Sequence, residues 1–196
     1  MNRETLKRMA AGVCPGKKGL MLDPHAETTS TVTPGRYRVD PDRSTVRYAG
    51  RHMFGLGTVH ATFSVREGDL RIGGDVETLS TTVVVEAASF SSGNARRDRD
   101  VRAAGLLDVE RYPDITFTSD RVAVRGEGWL VAGSVTAHGQ SVPAVVRVDR
   151  LTVDGSDIRA HGWVHDLDRT AFGITGSRGL VGRHLDLELD VVASSV

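Results

Sequence analysis

The sequence predicts an all-β protein: an antiparallel barrel of eight strands, with one short helix near its mouth and a disordered N-terminal tail. Three observations carry this expectation. Apolar and polar residues alternate with period two through most of the chain after residue 35. Turn signals such as Gly126-Glu127-Gly128, His138-Gly139-Gln140 and Asp154-Gly155-Ser156 separate the alternating runs at hairpin spacing. A single stretch, Ala95 to Ala104, has helical character.

Residues 1–34 lack periodicity and end in a Thr/Ser-rich run, so they read as the tail, and residues 35–196 as the domain. Val39 and the run from Ser44 to Ala49 read as a strand pair around the turn Asp40-Pro41-Asp42. From Thr58 to Arg66 the alternation is clean: Val59, Ala61, Phe63 and Val65 share one face. Glu67-Gly68-Asp69 reads as a turn into a shorter strand from Leu70 to Val76. Thr82 to Phe90 is rich in β-branched residues. The helix follows, with Asn94 as N-cap and Gly105 as its stop. The remaining strands are Ile115–Val124, Trp129–Ala137, Val142–Val153, Ile158–Leu167 and Leu185–Val192, with a glycine-rich loop from Asp168 to Arg183 before the last. Strands this numerous, with hairpin turns and almost no helix, make a sandwich or a barrel. Small inward-facing residues favour a barrel with room for a ligand.

Composition narrows the function. Lysine and arginine together number 25, as do aspartate and glutamate, so the net charge is zero. A nucleic-acid binder needs a basic face to neutralise phosphates, and that partner is not expected. No apolar run approaches the roughly 18 residues of a membrane-spanning helix. The apolar stretch from Met9 to Val13 is too short for a secretory signal, so a cytoplasmic location is expected, or an exported one if the start site is misassigned. Cys14 is the only cysteine, which excludes an internal disulfide and a cysteine zinc site. His161 and His165 lie four apart on one strand and share a face, but no motif supplies a third metal ligand, and no metal is predicted.

Several segments together resemble the YceI-like family. They are the opening from Val39 to Phe63, with Asp40, Ser44, Val46 and then His52, and the block from Asn94 to Phe117, with Arg97, Asp98, Arg102, Asp108, Tyr112, Pro113, Ile115 and Phe117. The late loop follows, with Arg169, Phe172, Gly173 and Ile174. The resemblance spans about Gly35 to Ala193. It implies a lipocalin-like antiparallel barrel that binds polyisoprenoid lipids, including isoprenoid quinones, with no cofactor beyond the bound lipid. The chain departs from the family pattern at Asp100, where a histidine is common, near Ala103–Gly105, where serine and aspartate are, and at Leu106-Leu107, where a Phe-Phe pair is. These departures alter the polar chemistry of the mouth and keep its apolar character.

A polyprenyl chain needs a long apolar lining and few polar contacts, because its burial contributes roughly 25 cal/mol per Å². The lining candidates are Phe54, Phe63, Val85, Phe90, Leu106 and Leu107, together with Ile115, Phe117, Trp163, Phe172 and Ile174; ordinary core packing is the competing role for each. Arg97, Asp98 and Arg102 can meet a pyrophosphate or other polar headgroup, or can pin the helix to the barrel. His52 can hydrogen-bond a quinone carbonyl, or be a satisfied core residue. No Gly-x-Ser-x-Gly elbow, P-loop or dinucleotide fingerprint occurs, and no catalytic residue is predicted. The expected function is therefore non-enzymatic binding, transport or sequestration of a polyisoprenoid or other amphiphilic lipid. A barrel enzyme acting on an apolar substrate and a protein-interaction module are the alternatives, and pairing into a homodimer through an exposed strand is a further expectation.

Overall fold

The computed structural model describes residues 32–52, 56–74, 78–126, 128–177 and 181–196. The expected tail therefore lies outside the described residues up to residue 31, as does Phe54.

Nine strands form one antiparallel sheet that closes on itself: β1 (Gly35–Val39), β2 (Thr45–His52), β3 (Gly57–Ile72), β4 (Ser80–Glu86), β5 (Asp114–Arg125), β6 (Gly128–Ala137), β7 (Gln140–Asp154), β8 (Asp157–Asp168) and β9 (Val181–Ser195). β1 and β2 are not a hairpin pair. Both lie between β3 and β9, β1 against the C-terminal part of each and β2 against the N-terminal part. They are two halves of one stave, so the barrel has eight.

The break between the halves is built by Asp40 and Ser44. The Asp40 carboxylate accepts from the amides of Asp42 (3.0 Å) and Arg43 (3.3 Å) and caps a 3-10 turn over Pro41–Arg43, where proline's fixed φ suits the first position. The turn lifts the chain off β9, which leaves the amide and carbonyl of Val192 to be satisfied. The Val192 amide donates to Ser44 Oγ at 3.0 Å, and its carbonyl accepts from the Asp40 amide at 2.8 Å.

The expected turn at Glu67-Gly68-Asp69 is instead part of a single strand, β3. A bulge between Val65 and Glu67 shifts its register against β4. Gly68 serves close approach: a Cβ there would stand 2.7 Å from Val39 Cγ2. β4 also ends sooner than expected, at Glu86, because the Ser89 hydroxyl donates to the Glu86 carbonyl at 2.6 Å and folds Ala87–Ser89 into a 3-10 turn.

The single α-helix among the described residues, α1 (Ala95–Arg102), is capped by Asn94, whose side chain accepts from the Arg97 amide at 3.1 Å. It stops three residues before Gly105: Ala103 turns to an extended conformation, and the Leu107 amide returns to the Val101 carbonyl at 2.9 Å. The connections β2–β3, β4–β5, β6–β7 and β8–β9 share one end of the barrel, so α1 and the loop after β8 lie over the same opening. At that end Tyr112 packs on His138 with ring centroids 4.6 Å apart, and on Gly139 of the β6–β7 turn.

Every strand has a neighbour on both sides among the described residues, so no free edge is offered for pairing with a second copy.

Candidate functional site

The barrel interior is only partly filled. Phe63 and Phe90 meet edge to face at 5.2 Å and pack with Val46, Val65, Val85 and Ile158 in one buried cluster. Beside Phe63 and Phe90 lies a cavity of about 290 Å³. Its wall comes from inward positions of six strands, among them Tyr48, Val59, Ile115, Val135, Leu167 and Leu187. From α1 and the chain behind it come Arg97, Val101, Leu106 and Leu107; from the loop after β8 come Arg169, Phe172 and Ile174. The volume sits at the small end of ordinary ligand cavities.

Of the residues singled out from sequence, Phe63, Phe90, Arg97, Leu106, Leu107, Ile115, Phe172 and Ile174 line this space. Val85 does not; it is buried in the cluster with Phe63 and Phe90. Phe117 also lies outside the lining, packed partly buried against the second apolar cluster. Trp163 is on the outer face, contrary to expectation. Gly162 and Val164 are the buried residues on either side of it, and parity sends Trp163 outward. Its indole N–H donates to Asp149 at 3.1 Å and its ring stacks on His165. The His52 backbone pairs with Gly57 and Val181 at the end of β2, while its side chain lies outside the described residues.

Asp98 and Arg102 hold the helix. Asp98 is 7% exposed and accepts from the Ser92 amide at 2.9 Å and from the Ser92 hydroxyl. These bonds, with the charges of Arg102 and Arg97, hold its carboxyl below the ordinary carboxylate value. Arg102 donates to the Phe90 carbonyl at 2.6 Å; its Nε is buried with no hydrogen-bond partner among the described residues. Arg97 reaches the wall while its Nε donates to Ser92 Oγ at 2.7 Å.

Arg169 is the polar group the sequence reading left out of the site. It is 5% exposed, and its fork donates to the carbonyls of Gly182 (2.8 Å), Ile174 (2.6 Å) and Val181 (3.0 Å). One side chain thus fixes both ends of the loop that brings Phe172 and Ile174 over the cavity. The side chain of Asp168 caps the start of this loop by accepting from the Thr170 amide at 2.8 Å, and Arg183 and Thr170 hold its carboxyl far below the ordinary value. Tyr48, Leu185 and Leu187 were also missed, although extending the alternation from Val46 along β2, and through β9, would have found them.

Outside the barrel, β9 brings Glu188 and Asp190 beside His161, so the third metal ligand that no motif supplied is present in space; the ligand atoms lie within 4.8 Å of one another. Arg47 already bridges both carboxylates. His161 bonds Asp149 through Nδ1 at 2.7 Å and Glu188 through Nε2 at 3.2 Å. The bond to Asp149 lifts the imidazole above its ordinary value against the opposing effect of burial, with Glu188 adding to the rise.

A closed eight-stave antiparallel barrel with an apolar chamber is an architecture with room for one small ligand. The chain belongs to the YceI-like family, whose sequence model matches residues 37–193. It is 24% identical to a UPF0312 protein of Yersinia enterocolitica over 184 residues, 88% of this chain and 93% of that protein. Among solved structures it resembles BcnA of Burkholderia cenocepacia, with a TM-score of 0.69, 22% identity and coverage of 80% of this chain and 99% of that one. A polyisoprenoid binding domain from Saccharophagus degradans implicated in plant cell wall breakdown matches with a TM-score of 0.58, 13% identity and coverage of 84% of this chain and 100% of that one.

Proposed function

We propose that this protein binds a polyisoprenoid or similar amphiphilic lipid in the barrel chamber, without catalysis, and carries or sequesters it. The observation that carries this reading is the apolar cavity over which both α1 and the Arg169 loop are fastened. The polyisoprenoid binding domain of Saccharophagus degradans, which shares the fold, supports the choice of ligand. Binding rests on area: each 100 Å² of tail removed from water contributes about 2.5 kcal/mol, before the cost of ordering the chain. Among the described residues the wall presents no carboxylate, imidazole or thiol, the usual general acids and bases, which supports a carrier over a catalyst.

The test is displacement of an environment-sensitive fluorescent fatty probe from the full chain by a prenylated quinone. Stoichiometric displacement is expected; a probe that never binds, with a quinone that leaves the protein's fluorescence unchanged, would contradict the reading.

A further inference from the structure

Tyr48 and Gly50 are successive inward residues of β2, and the tyrosine ring lies along the strand over the glycine. A Cβ built on Gly50 would stand 1.9 Å from the Tyr48 hydroxyl oxygen and 2.9 Å from Cε1. No side chain at position 50 is compatible with that ring position. The missing side chain of Gly50 is therefore the space in which the hydroxyl sits, on the side of Tyr48 toward the roofed end of the barrel.

The ring has apolar neighbours, and Arg169 is the charge that acts on its hydroxyl. Phe90 meets the Tyr48 ring edge-on at 6.0 Å, and Phe63, Leu185 and Leu187 line the same cavity. Among the described residues the hydroxyl makes no hydrogen bond. The hydroxyl opens onto the cavity and is not sealed in the wall, so a ligand that displaces water from it has to supply the replacement partner. Burial raises the pKa of the phenol and the Arg169 charge opposes this, so the group is a neutral O–H at physiological pH.

Building on the lipid-binding reading, we propose that Tyr48 determines ligand specificity by donating a hydrogen bond to an oxygen acceptor of the ligand inside the chamber. The ligand class is then an apolar chain carrying an acceptor oxygen within reach of Gly50, either a quinone-type carbonyl or a phosphate oxygen. A plain hydrocarbon of the same length gains nothing from Tyr48.

The experiment compares the wild-type chain with Tyr48→Phe, which keeps the ring. The ligands, of equal prenyl length, are a prenylated benzoquinone, a prenyl monophosphate and the parent hydrocarbon. Tyr48→Phe is expected to weaken an oxygen-bearing ligand about five- to tenfold and to leave the hydrocarbon unchanged. The ligand that responds identifies the oxygen as carbonyl or phosphate. If the quinone responds, its carbonyl stretching band lies lower in the wild-type complex than in the variant, a signature that ring packing does not produce. Unchanged binding of both oxygen ligands, or equal weakening of all three, overturns the proposal and leaves the lipid-binding reading standing. Failure of the wild-type chain to bind any of the three sinks that reading, and the proposal with it.

Discussion

The Asp98 carboxylate accepts hydrogen bonds from both the backbone amide and the hydroxyl of Ser92, and so fastens α1 to the segment that leads into it. Because the carboxyl is held below its ordinary 3.8, the native state binds fewer protons there than the unfolded chain. Its stabilisation is complete above about pH 4 and is lost as pH falls through the lowered native value. Asp98→Asn is expected to lower the melting temperature at neutral pH, to flatten its fall on acidification, and to speed hydrogen exchange at residues 95–109. Melting curves across acid pH, with exchange mass spectrometry, check this.

His161 has the opposite sign. Its raised pKa, caused first by Asp149, gives stability that is full below 6.5 and is lost as pH rises through the native value. The wild-type melting temperature is expected to fall by a few degrees from about pH 6 to about pH 9, and His161→Gln to remove that slope. An unchanged slope in the variant would assign it to another group.

Gly139 occupies a left-handed conformation (φ 74°) beside His138 (φ 50°), a pairing that a tight β6–β7 hairpin requires. A Cβ there would also meet Tyr112 Cε1 at 2.9 Å. Gly139→Ala is expected to cost about 1–2 kcal/mol and to lower the melting temperature by roughly 2–8 °C. Thermal denaturation followed by circular dichroism measures it.

Val135 is 6% exposed and faces the cavity from β6. Val135→Phe fills part of the space the lipid would use. It is expected to weaken a prenyl quinone at least tenfold at a stability cost of about 1–3 kcal/mol. Titration beside a melting curve separates the two effects.

Affinity should rise steeply with chain length and then stop. Each buried CH₂ contributes about 0.8 kcal/mol, so one added isoprene unit gains about tenfold or more until the chamber is full. A series of prenyl quinones differing only in tail length gives the plateau.

Much of the barrel was legible because strand alternation is a local property: Val59, Ala61, Phe63 and Val65 declare their face within one strand. The errors lie where distant chain decides. Asp40-Pro41-Asp42 reads as a hairpin turn, but Ser44 finds its partner in Val192, 148 residues away, and the turn becomes a break within one stave. Trp163 was counted in the lining, although the buried Gly162 and Val164 assign it to the outside by parity. Leu106 and Leu107 were found because they keep apolar character where the family has a Phe-Phe pair, whereas Arg169 was recognised in the late loop but not as a wall residue, because its three carbonyl partners are set only by the folded loop. Glu188 and Asp190 reach His161 only through the register of β8 on β9.

The most direct test of a lipid in this barrel is native mass spectrometry of the freshly purified chain, followed by organic extraction and lipid analysis. The account predicts a bound mass at one equivalent that extracts as a prenyl lipid and is lost from Val135→Phe. A chain that flies at its own mass, and still takes up no prenyl lipid when supplied with one, would contradict it.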